Sequence, residues 1–122
     1  MYGPERLEQE LRNLGYMVEQ KTAEGQSFAV IKDFEIPAGK FQGSVIELGI
    51  PAPPNYPQAV GASIHVKANP QLLDYKDTVP GVRNIIPSPL GADWRYWSLN
   101  FGQGDHTTRR LLSQINGVFS RV

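Results

Sequence analysis

The stretch that decides the fold is Leu48-Gly-Ile-Pro-Ala-Pro-Pro-Asn-Tyr-Pro-Gln-Ala-Val-Gly-Ala-Ser-Ile-His-Val-Lys-Ala-Asn-Pro70. A strand runs into a proline-dense turn and a second strand leaves it. Pro51, Pro53, Pro54 and Pro57 are four of the chain's ten prolines. Proline fixes φ and removes a backbone donor, so the turn is stiff, extended and outside any sheet interior. Such a turn between two apolar strands is a frame on which other parts are mounted. Before it, Ile46, Leu48 and Ile50 alternate with Glu47 and Gly49. After it, Ile64 and Val66 alternate with Ser63, His65 and Lys67, predicting a buried and an exposed face.

Outward from this frame, residues 27–36 are rich in β-formers and read as a first strand, broken by Pro37-Ala-Gly39. Residues 41–50 read as the second strand, antiparallel to the first, and 62–68 as the third. At the start, Leu7, Leu11, Leu14 and Val18 share one helical face, which predicts a helix over 4–20 with Pro4 in its first turn. Residues 20–26 read as a polar connector. Leu111, Leu112, Ile115, Val118, Phe119 and Val122 predict a second helix over 105–122, capped by Asp105. Between Asn69 and Asp93 the periodicity dissolves into an irregular stretch of about 25 residues, a length usually functional or mobile. Trp94-Arg-Tyr-Trp-Ser-Leu-Asn-Phe101 follows as an aromatic cluster. The expectation is a single α+β domain over 1–122: N-terminal helix, antiparallel meander of three to four strands, long irregular loop, C-terminal helix, with the helices on one face.

Composition removes whole classes of function. Twelve basic and twelve acidic side chains cancel, so there is no electrostatic case for nucleic acid or an anionic membrane surface. No apolar run approaches the ~20 residues that span a bilayer. The first residues do not read as a signal peptide, and the expected location is cytoplasmic. The chain has no cysteine, which excludes disulfides, thiolate metal sites and cysteine nucleophiles together.

Candidate chemistry is sparse. The two histidines are His65, read as an ordinary exposed strand residue with contact in a binding face as the second reading, and His106, beside Asp105 at a helix start. No third ligand stands at metal-site spacing, so neither metal nor cofactor is expected. Asp33, Glu35 and Glu47 read as a solvated face. Asp74, Asp77 and Asp93, with Lys76 and Arg83, form either a recognition surface or merely a soluble loop. Gly102-Gln-Gly104 reads as a turn. Strand alternation places Trp94 and Tyr96 on one side and Arg95 and Trp97 on the other. At least one tryptophan packs in the core, and the other is a candidate interface anchor.

The order helix, meander, Ile-Pro-(x)4-Tyr-Pro, strand, Asn-Pro, irregular loop, tryptophan, helix resembles ubiquitin-conjugating enzymes, and more closely their prokaryotic branch called family E. The residues that carry the likeness are Phe34-Glu-Ile-Pro37, Val45 to Pro51 ending in Ile-Pro, Tyr56-Pro57, Ile64 to Val66, Pro70 and Trp94-Arg-Tyr-Trp-Ser98. The departures fall on the chemistry. Gln58-Ala-Val-Gly61 stands where the family has a proline pair, and the family's His-Pro-Asn is absent, Asn69-Pro70 being a reversed fragment. The resemblance places the catalytic cysteine within 85–90, which here reads Ile-Ile-Pro-Ser-Pro-Leu. A thioester needs a thiolate, and this chain has none.

Ser88 lies in that window, but a serine nucleophile needs an adjacent base. The candidates are His65 and His106, and nothing in the sequence brings either to it. The plainer reading is that Ser88 separates two prolines. The resemblance therefore implies a non-catalytic module that binds a ubiquitin-like protein or its activating enzyme, or scaffolds their complex. Family domains are encoded beside activating enzymes, deconjugating metalloproteases and ubiquitin-like proteins. The alternatives are an enzyme of other chemistry using Ser88, Asp93 or His106, and an unrelated α+β binding or structural protein. The candidate contact and cleft residues are Tyr56, His65, Asn69, Ser88, Asp93, Trp94, Arg95 and Trp97. Tyr56 is further expected to pack beneath the loop with its hydroxyl paired, since a buried phenol seldom stays unpartnered.

Overall fold

A computed structural model describes residues 2–101 and 107–122. The helix α1, Pro4–Asn13, is followed by six strands: β1 Val18–Ala23, β2 Gln26–Glu35, β3 Val45–Pro51, β4 Ser63–Lys67, β5 Asn84–Ser88 and β6 Gly91–Ser98. The helix α2, Thr108–Arg121, closes the order. The strands form one sheet in the order β1-β2-β3-β4-β6-β5, every pair antiparallel. The class is the expected α+β, with both helices against one face, but the sheet has six strands rather than three or four.

The first extra strand comes from the segment predicted to be helix end and connector. Helix α1 stops at Asn13, and Gly15, at φ +99, turns the chain in a region where glycine meets no Cβ penalty. Val18, which fits the helical stripe, is buried opposite Ile31 at the head of β1. The Arg12 guanidinium donates to the Val18 carbonyl and ties helix to strand. Glu24 and Gly25, both at positive φ, then form a two-residue hairpin turn into β2. The polar run Glu19-Gln-Lys-Thr22 suits a strand at the sheet's edge, where charge discourages further pairing.

The second correction concerns the irregular stretch, which ends at Arg83. From Asn84 the chain forms the β5–β6 hairpin, with Ile85 opposite Trp97 and Ile86 opposite Tyr96. Pro87 cannot donate to a ladder and is tolerated because β5 is the other edge strand. Smaller differences are that β3 begins at Val45, with Phe41 in the preceding turn, and that β4 spans Ser63–Lys67. Helix α2 is capped by Thr107, whose hydroxyl accepts from the Arg110 N–H at 3.0 Å. The cap expected at Asp105 lies outside the described residues, as do Gly102-Gln-Gly104 and His106.

The main core lies between the helices and the sheet. Leu7 and Leu11 of α1 and Leu111, Leu112, Ile115, Val118 and Phe119 of α2 pack on Ile31, Ile46, Leu48, Ile50, Ile64, Val66 and Trp97. A bulge between Ile31 and Phe34 returns Phe34 to this side. The proline turn holds Tyr56 inside the core, where its hydroxyl lies 2.5 Å from Thr108 Oγ1. Thr108 donates its own hydrogen to Glu10 Oε1 at 2.6 Å, so Tyr56 is the donor to Thr108. Burial raises the phenol's pKa, keeping that hydrogen in place. The hydroxyl is paired as expected, and the Thr108 to which it donates links α2 to α1 through Glu10.

Candidate functional site

Among the described residues no helix covers the other face of the sheet, yet part of that face is buried. Phe28, Val30 and Trp94 form a second buried cluster there, with Ala23 and Leu90 packed on it. Leu90, at the tip of the β5–β6 hairpin, supplies part of the cover. Gly49 lies beneath: a Cβ at that position would stand 3.0 Å from Leu90 Cδ1 and 3.2 Å from His65 Cβ. The strand β2 is therefore buried on both faces along Phe28-Ala-Val-Ile31, which accounts for its unbroken apolar run.

This arrangement overturns the reading of His65 as an exposed residue. Its side is the predicted one, but the ring is sealed, with 1% exposure, between the edges of Phe28 and Tyr96, whose centroids lie 4.8 and 4.9 Å away. Burial lowers its pKa to about 4, so the imidazole is neutral at ordinary pH. Both of its nitrogens have partners. Nδ1 lies 2.7 Å from Ser88 Oγ, and Nε2 lies 3.3 Å from the buried Ser63 Oγ. Ser88 Oγ also accepts from the Leu90 N–H at 3.1 Å. In the Nε2–H tautomer the whole set is satisfied: Nε2–H donates to Ser63, Ser88 O–H donates to Nδ1, and Leu90 N–H donates to Ser88. The base that sequence could not bring to Ser88 stands beside it, two strands away.

The remaining half of this face is polar. Lys32, at the bulge of β2, lies 2.8 Å from Glu47 and 3.4 Å from Glu19, while Lys67 lies 3.5 Å from Glu47. Partial burial works to raise the Glu47 pKa, but the hydrogen bond and charge of Lys32, joined by Lys67, carry it below the usual carboxylate range. The hydrogen bond to Glu47 in turn raises Lys32. Beside this network runs a groove of about 600 Å³ lined by Lys67, Asn69, Gln71, Asp93 and Arg95 among others. Arg95 pairs with Asp74 at 2.8 Å and lies over the Tyr75 ring, 4.6 Å from its centroid. The Arg95 hydrogen bond holds the Asp74 carboxyl below its ordinary pKa.

The eight candidate residues thus separate into three places. Asn69, Asp93 and Arg95 share the groove. His65 and Ser88 form a pair, with Trp94 in the adjoining cluster. Tyr56 and Trp97 are sealed in the main core, so their side chains offer no contact surface. Neither tryptophan is an exposed anchor: Trp94 is 3% exposed and Trp97 1%. Sequence reasoning missed Lys32, Glu47 and Lys67 as a connected group, because their meeting depends on the β2–β3–β4 register. Among the described residues, no group of three or more His, Cys, Asp or Glu side chains could hold a metal ion.

A sequence model of prokaryotic E2 family E matches residues 4–122. The chain belongs to that family. No curated protein and no solved structure matches it. Membership in family E agrees with the terminal helices, the antiparallel sheet and the stiff turn around Tyr56. No helix of the described residues is long and apolar enough to cross a membrane. The reaction associated with ubiquitin-conjugating enzymes passes through a cysteine thioester, and this family E member has no cysteine to form one.

Proposed function

We propose that this chain acts by contact in a ubiquitin-like modifier pathway: it binds the modifier or its activating enzyme, or holds such a complex together, in the cytoplasm. The observation that carries this reading is a family E chain that keeps its fold with no cysteine at any of 122 positions. What the sequence retains are the packing and turn residues, Tyr56 and the prolines around it, and not the thiol. The groove beside Lys67, Asn69, Gln71, Asp93 and Arg95 is an open polar surface that a partner could occupy. Its mixed charge suits a protein chain, with backbone amides and both signs of side chain, better than a nucleic acid.

The test is titration of the isotopically labelled domain with a prokaryotic ubiquitin-like protein and with its activating enzyme. Amide resonances of Glu47, Lys67, Asn69, Gln71 and Arg95 are expected to shift. No shift at near-millimolar concentration of either partner would sink the reading.

A further inference from the structure

We infer that Ser88 is an oxygen nucleophile, with His65 as its base, that accepts an acyl group from the thioester-activated C-terminus of a partner protein and holds it as an ester. The inference goes beyond contact and rests on the partner reading above only for the identity of the acyl donor.

Three features carry it. A serine hydroxyl becomes a nucleophile when a base within hydrogen-bond reach takes its proton and a third group orients that base. Ser88 Oγ stands 2.7 Å from His65 Nδ1, and Ser63 Oγ holds the far nitrogen at 3.3 Å. The ring is fixed further by Phe28 and Tyr96, so the base is oriented before any substrate arrives. The Leu90 N–H donates to Ser88 Oγ at 3.1 Å and holds that oxygen in place beside the imidazole. The nucleophile and its base also differ in access. His65 is sealed from water, whereas Ser88 is only half-buried, at the hairpin end between Pro87 and Pro89, which restrict its backbone.

The step balances without oxidant or reductant. Ser88 Oγ attacks the thioester carbonyl carbon as its proton passes to His65 Nδ1. The tetrahedral intermediate collapses, the C–S bond breaks, and the proton leaves His65 for the departing thiolate. The products are a Ser88 ester and a free thiol on the donor protein. Ser63 touches neither reacting atom and acts as a positioning residue.

A fluorophosphonate, which phosphonylates activated serines with loss of fluoride, tests the nucleophile without any partner. Peptide mass spectrometry of the labelled protein should place the adduct on Ser88. Ser88→Ala should remove it, and His65→Gln should slow labelling by roughly a hundred-fold, the span of a lost general base. If His65→Gln does not fold, Ser63→Ala serves instead and should slow labelling in a protein that remains folded. Wild-type protein unlabelled at Ser88 overturns the inference.

A second experiment uses activating enzyme, ubiquitin-like protein and ATP. Wild type should gain an adduct that survives dithiothreitol and is cleaved by alkaline hydroxylamine. Ser88→Cys should gain a dithiothreitol-sensitive one. Loading of Ser88→Cys alone would overturn the serine chemistry while leaving the partner reading intact. Loading of neither, with no amide shifts, would instead remove the partner reading, and the fluorophosphonate result alone would then decide Ser88.

Discussion

The two faces of the sheet are buried by different means. On the helix side, α1 and α2 bring long apolar stripes to Ile46, Leu48, Ile50, Ile64 and Val66, and a polar group drawn deep inside, the Tyr56 hydroxyl, passes its hydrogen to Thr108. On the other side there is no helix among the described residues. Two apolar strand residues, one tryptophan and a hairpin tip make a thin cover, and beneath it sit a histidine and a serine. A thick apolar layer tolerates little polarity because desolvation is costly there. A thin layer at the sheet's edge can hold a polar chain whose last member, Ser88, reaches the surface. The difference teaches where chemistry can reside in this fold: on the face the helices leave alone.

Three measurements would break or sharpen that contrast. The largest effect is expected on the helix side. Tyr56→Ala should destabilise by about 2–4 kcal/mol, as large-to-small core changes do, by removing a buried ring and leaving Thr108 without its donor. An unchanged melting temperature would mean that the turn does not anchor the two helices.

The second reports on the thin side. His65 has a folded pKa of about 4, lowered by burial, against roughly 6.5 in an unfolded chain. Between those values the unfolded state takes up a proton that the folded state refuses. Stability is therefore full above about pH 6.5 and is lost as pH falls toward 4, by on the order of 3 kcal/mol across the window. Glu47 acts in the same direction at lower pH: its depressed pKa contributes stability above the unfolded carboxylate range, lost as pH falls through its own folded value. Denaturant melts from pH 7 to 5 would show the His65 slope, and His65→Gln should flatten it. A slope unaltered in that variant would contradict the sealed ring.

The smallest effect belongs to the open half of the outer face. Glu47→Gln should cost under about 1 kcal/mol and less in high salt, because Lys32 and Lys67 remain partly solvated. A larger, salt-independent loss would mean that this half is as closed as the other.

The legible parts of the fold were those whose own periodicity decides them. The stripe from Leu111 to Phe119, the alternation Ile46-Leu48-Ile50 and that of Ile64-Val66 each name an element and its core face. Val18 was misread because it fits both a helical stripe and a strand head; only the turn at Gly15 separates the two. The hairpin at β5 was hidden by Pro87, which argues against a strand unless the strand is known to lie at an edge. His65 was the instructive error. Period-2 alternation says which face a side chain takes, not what lies over that face. A signal was present in Phe28-Ala-Val-Ile31, four apolar residues in succession, which require cover on both sides of β2. The Ser88–His65 pair itself was illegible, because it depends on β6 lying between β4 and β5.

The hydrogen bond from Thr108 to Glu10 joins residues 98 apart in sequence. Every strand precedes α2, so the sheet pairs while its helix-side apolar face is half bare. Contacts of such long sequence separation close late and slowly, since the entropy of the intervening loop is lost before they form. Docking of α2 is then expected among the late steps of folding, because it covers the helix-side face of the sheet.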